Sequence, residues 1–171
     1  GVRWALDLGS HDYHKLESQG INLFGDDRWK VHRYTNFLHN TLVVDDSLQI
    51  PDAFANVIKN VTDQNSPYTT INLTPVYRYA LDSAVRGIGL IEGEYVCIQD
   101  KIINSNSSSK VRWAMLTYED IDIIDDKTAV IKHQGKNLAL KILTDHPIKI
   151  RTFSADPPNN YEDKNPGKTM L

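Results

Sequence analysis

The feature that most restricts the fold is a succession of short apolar runs, punctuated by turn residues, along almost the whole chain. Val2 to Leu8 alternates: Val2, Trp4, Leu6 and Leu8 share one face, and Arg3, Ala5 and Asp7 the other, the period of a half-buried strand. Arg28 to Thr35 and His39 to Asp46 alternate in the same way, with 36–38 as a short connection. Strands are also expected over 53–61 and 68–73, around the turn residues 63–67. The runs 85–91 and 95–102 predict a hairpin across Glu92-Gly93-Glu94. Further runs at 111–116, 121–124, 129–133, 138–143 and 148–153 follow, and the closing Asn-Pro-Gly-Lys-Thr-Met-Leu reads as the lead-in to another strand. About a dozen short strands at this spacing specify an all-β chain. No stretch holds a helical period. The expected architecture is a two-layer antiparallel β-sandwich, supersandwich-like, with residues 1–171 as a single domain. No fixed-period repeat and no internal boundary is visible. The chain reads as a piece cut at both ends, and the sheet edges so exposed predict self-association.

A formal net charge of −3 argues against a general nucleic-acid binder while leaving room for a local basic patch. No apolar run approaches the roughly 20 residues that span a bilayer. The single cysteine, Cys97, has no internal partner, and its apolar neighbours predict a buried, inert thiol. Glycosylation sequons occur at Asn60, Asn72 and Asn106, and all three are read as chance occurrences. The chain has no nucleophile elbow, P-loop or dinucleotide fingerprint.

Chemistry concentrates in residues 2–46. Asp7 ends one expected strand and His39 begins another, so neighbouring strands would bring a carboxylate and an imidazole face to face. A zinc site needs at least one further protein ligand, for which His11 and His14 are nearby in sequence. Two readings stand at this level: a metal pair, or a carboxylate bonded to backbone amides or to a histidine. Arg28, Lys30, His32 and Arg33 interleave with Trp29 and Tyr34. Arginine suits bidentate binding of carboxylate or sulfate, and aromatic rings suit stacking on sugars. Strand alternation would split this set across two faces, and a solvated strand face explains the same composition. Tyr13 and the histidines are candidates for proton transfer.

Several pieces carry a resemblance: WALDLGSHDY, LESQGINLF, RWKVHRYTNFLHNTL, VRWAMLT, NLTPVY, RGIGLIEGEYVCIQD and SADPPNNYEDKNPG. Together they resemble the heparinase II/III family of polysaccharide lyases over nearly the whole chain, most specifically in LDLG followed by HNTL. The resemblance implies an N-terminal (α/α) toroid packed on a large antiparallel sandwich, with the active site in the cleft between them. It implies β-elimination on uronic-acid-containing glycans of the heparin and heparan sulfate kind, with tyrosine and histidine moving the protons. It also implies a structural zinc held by a histidine of an HxH motif, the aspartate of LDLG and the histidine of HNTL. Asp7 and His39 match the last two, and the chain has no HxH. The toroid and its catalytic residues are likewise expected outside these residues, so the chain alone is expected to be inactive with a partial zinc site. By the same analogy Tyr13 and the substrate-binding candidates Arg28 and Arg33 lie near the cleft, and the parent works on an anionic polysaccharide in the periplasm or outside the cell. The alternative from the residues is a non-catalytic carbohydrate-binding or scaffold module.

Overall fold

The structure is a computed structural model describing residues 1–105 and 108–171, so the sequon at Asn106 lies outside the described residues. It corrects the expectation of an all-β sandwich. Among the described residues, two short α-helices and three 3₁₀ helices stand among twelve strands, and the strands form four separate open sheets.

Each departure has a local cause. Helix α1, Tyr13–Ser18, lies where the sequence shows no helical period. Asp12 caps it by accepting the Lys15 N–H at 3.1 Å. Its only buried residue is Leu16, too few to show a 3.6-residue period. The run 28–35 is not a strand but part of two 3₁₀ helices, Asp26–Lys30 and His32–Tyr34. The two-face division of its cations therefore does not hold, because a 3₁₀ turn takes three residues. Val2 to Leu8 keeps the predicted burial alternation, yet it is not assigned as a strand. One backbone bond, Leu6 N–H to Leu116 O at 2.8 Å, ties it to a neighbour. The run 39–46 shortens to β1, Leu42–Val44, followed by Asp45 and Asp46 at φ of 50° and 49°. Left-handed backbone ends an extended run.

The described chain divides into two compact units. The first comprises Gly1–Leu42 and Trp113–Leu171, the second Val43–Arg112. The second contains β2, Asn56–Val61; β3, Tyr68–Asn72; β4, Leu81–Ile91; and β5, Tyr95–Asn104, in the order β2-β3-β4-β5. The hairpin prediction corresponds to β4 and β5, with Ile88 opposite Ile98 and Glu92 and Gly93 at positive φ in the turn. Helix α2, Thr74–Tyr77, opens with a proline in its first turn. Along β5 most side chains face solvent, and Cys97 is exposed, which corrects the buried thiol. An apolar local sequence does not bury a residue when nothing packs over the sheet face.

In the first unit, β7, Leu116–Tyr118, pairs with β12, Lys168–Met170, which pairs with β11, Phe153–Ser154. Strands β8, Ile121–Asp125; β9, Thr128–His133; and β10, Lys136–Lys141 make a second antiparallel sheet. The first sheet carries the core cluster that positions the site: Leu6, Leu38, Ala114, Leu116, Ala155 and Met170, with Leu8 and Tyr118 against it. A second cluster, Leu16, Ile21 and Val31, seats α1 beside the 3₁₀ helices.

Candidate functional site

Burial places the Asp7–His39 pair. Leu6 and Leu38 enter the same core cluster, and the residue after each turns outward. Asp7 Oδ2 and His39 Nδ1 stand 3.3 Å apart, with the side chains 44% and 42% exposed. The second carboxylate oxygen is occupied, since the Gly9 N–H donates to Asp7 Oδ1 at 2.7 Å. Gly9 makes that bond at a φ of 65°, where a side chain is disfavoured. Asp7 is thus locked with one oxygen turned to the imidazole.

Two arrangements share that 3.3 Å separation. A charge-assisted contact between carboxylate and imidazole is one. The other is a metal edge: zinc bonds of about 2.0–2.2 Å at the tetrahedral angle place two ligand atoms about 3.3–3.5 Å apart. The donor types and their separation therefore fit zinc, with both groups accessible enough for a third protein ligand or water to approach. Among the described residues, no group of three or more histidine, cysteine, aspartate or glutamate side chains is arranged to hold a metal.

Neither nearby histidine joins this pair. The buried His11 ring accepts the Asp163 N–H at Nε2, 3.0 Å, while Nδ1 faces the Asp12 carbonyl at 3.2 Å. That pattern fits the neutral tautomer with its proton on Nδ1. His14 is almost fully solvent-exposed, with Glu17 at 3.9 Å. His32 stacks on Phe37, and burial holds its imidazole below the ordinary value, partly opposed by the Glu162 charge.

Tyr13 donates its hydroxyl to Glu17 at 2.6 Å. That bond, with some desolvation and the Glu17 charge, raises the phenol above its usual range, so it gives up its proton less readily. Its ring meets Phe24 edge-on at 5.9 Å, and Phe24 is 86% exposed. Arg28 lies over Trp29 at 4.9 Å on an exposed surface. Arg33 has a different environment: its side chain is 10% exposed and donates to the Ser10 carbonyl at 3.3 Å. The structure therefore brings together Asp7 and His39, while Tyr13, Arg28 and Arg33 each engage other partners.

Sequence reading missed Glu162. Its side chain is 1% exposed, and Oε1 accepts the His32 N–H at 2.6 Å and the Asn159 amide at 2.7 Å. Oε2 accepts the Arg33 N–H at 3.2 Å, and the Arg33 Nε lies 3.9 Å away, beyond hydrogen-bonding range. This carboxylate pins the cation-rich segment to the C-terminal loop from 130 residues away in sequence. Lys15 and Asp163 add an ion pair beside it.

No protein-family model matches this chain, and no curated protein sequence matches it. No helix among the described residues is long and apolar enough to cross a membrane.

Proposed function

We propose that this chain is the strand-rich portion of a polysaccharide lyase of the heparinase II/III type, with Asp7 and His39 as two of the three protein ligands of a structural zinc. The observation that carries the reading is the 3.3 Å approach of Asp7 Oδ2 to His39 Nδ1 across 32 residues of sequence. Where zinc is bound, it supplies a fixed positive centre that ties the LDLG segment to the HNTL segment. The chain's own residues orient the ligands: Gly9 fixes the carboxylate, and the Leu6–Leu38 cluster sets the two backbones side by side. The third ligand, the proton-transfer residues and the toroid come, on this reading, from outside residues 1–171. The substrate is an anionic uronic-acid glycan cleaved by β-elimination, and the parent works in the periplasm or outside the cell.

Equilibrium titration with Zn²⁺, or with Co²⁺ as a coloured probe, tests it. Weak 1:1 binding is expected, lost in Asp7→Ala and in His39→Ala. Binding that neither substitution changes, or none at millimolar metal, would refute the ligand assignment. The chain alone should release no unsaturated uronate, read by its ultraviolet absorbance, from heparin or heparan sulfate. Full turnover would show that the proton-transfer groups are in this chain after all.

A second reading is a non-catalytic carbohydrate-binding module, and the exposed Phe24 beside Tyr13 favours it. Glycan affinity that drops in Phe24→Ala, with no product formed even when the flanking parent sequence is restored, would select the module.

A further inference from the structure

Asn40 sits next to His39, and its side chain reaches to the residue next to Asp7. Its Nδ2 donates to the Leu6 carbonyl at 2.8 Å, and its Oδ1 accepts the Leu116 N–H at 2.9 Å. The partners fix which end of the amide is which, because a backbone carbonyl only accepts and a backbone N–H only donates. The Leu6 N–H in turn donates to the Leu116 carbonyl at 2.8 Å. The amide thus acts as an inserted peptide group between Val2–Leu8 and β7. Among the described residues the Leu6 backbone is tied to β7 by this one bond and by the Asn40 bridge, which together hold the backbone just before Asp7.

We propose that Asn40 is a positioning residue that holds Asp7 against His39. One side chain joins the two halves of the pair: its backbone carries the histidine, and its amide grips the carbonyl just before the aspartate. The inference rests on reading Asp7 and His39 as a ligand pair. It adds that their separation is set by a third side chain that touches no metal. Aspartate at position 40 could not serve, because it accepts but does not donate, and it would set a negative oxygen against the Leu6 carbonyl. Alanine would leave both backbone groups without this partner.

The test compares Asn40→Ala and Asn40→Asp with Thr117→Val. Thr117 is fully buried and donates its hydroxyl to the Trp4 carbonyl at 2.8 Å, so its loss weakens the same tie without gripping the segment at Asp7. Co²⁺ and Zn²⁺ affinity should fall about tenfold or more in both Asn40 variants, the range seen when groups behind metal ligands are removed. It should stay within about twofold in Thr117→Val, even though both positions lower the melting temperature. Affinity losses that track melting temperature across all three variants, or unchanged affinity in Asn40→Ala, would overturn the proposal.

A metal-free measurement separates this idea from the zinc reading. At fixed pH, Asp7→Asn should shift the ring resonances of His39 in the otherwise unchanged chain. The same substitution should have little effect in an Asn40→Ala background. If the chain binds no metal yet this coupling appears and then vanishes as described, the zinc reading fails while the positioning role holds. Coupling that persists without Asn40 overturns the positioning role, whatever the metal does.

Discussion

Replacing Glu162 with alanine removes the acceptor for two backbone N–H groups and one side-chain amide, and it leaves the Arg33 guanidinium without its nearest counter-charge. The carboxylate is 1% exposed and the Arg33 side chain 10%, so water cannot readily replace the lost partner. Each orphaned buried donor costs about 1–3 kcal/mol, and breaking a buried ion pair from one side costs about 3–5 kcal/mol. These losses overlap, because the same desolvated groups appear in both, so we expect about 3–5 kcal/mol for Glu162→Ala. Glutamine keeps the volume and one acceptor but turns an N–H₂ towards donors, which we expect to cost about 2 kcal/mol. All three tryptophans lie in the unit that contains Glu162, so their fluorescence in urea reports on that unit. The corresponding fall in melting temperature for alanine is on the order of 10 °C. Losses below about 0.5 kcal/mol in both variants would refute the view that this carboxylate anchors the segment 26–34.

Two further perturbations probe other parts of the chain. Burial depresses the His32 imidazole, so the folded state resists a proton that the unfolded chain takes up near pH 6.5. Its contribution to stability is fully present above about pH 6.5 and is lost as pH falls towards the lower folded value. His32→Phe should therefore flatten the stability loss between pH 7 and 5.5, and identical slopes in urea unfolding would refute this. In the second unit, a β-carbon on Gly89 would meet Tyr68 Cβ at 3.0 Å and the Pro67 carbonyl at 3.2 Å, whereas one on Gly87 meets only the Gln99 carbonyl at 3.9 Å. Gly89→Ala should cost about 1–3 kcal/mol by circular dichroism melts and Gly87→Ala little, and equal losses would refute the packing argument.

What the sequence discloses follows from the range over which each interaction acts. The hairpin of β4 and β5 is legible because its determinants are local: alternating apolar residues and a glycine-containing turn. The inward face of Trp4, Leu6 and Leu8 is legible for the same reason, and it already turns Asp7 outward. The 3₁₀ helices are not legible. Within 26–34 the Asp27–Lys30 pair, three residues apart, is a weak local signal beside the strand-like alternation, and the acceptor holding the N–H groups of His32 and Arg33 belongs to Glu162, over 125 residues later. Arg33 shows the same limit: its neighbours in sequence give a cation of a solvated face or a glycan site, while its 10% side-chain exposure is set by the distant C-terminal loop. Asp7 and His39 are legible as a candidate pair from their strand-end positions and from the LDLG and HNTL resemblance. Their approach depends on Leu6 and Leu38 sharing a cluster and on an asparagine that no motif singles out. A neutral amide that bonds to backbone groups leaves no charge or periodicity for a sequence reading to find. Titratable side chains alone therefore do not reveal Asn40, whose amide grips the backbone just before Asp7 while its own backbone follows His39.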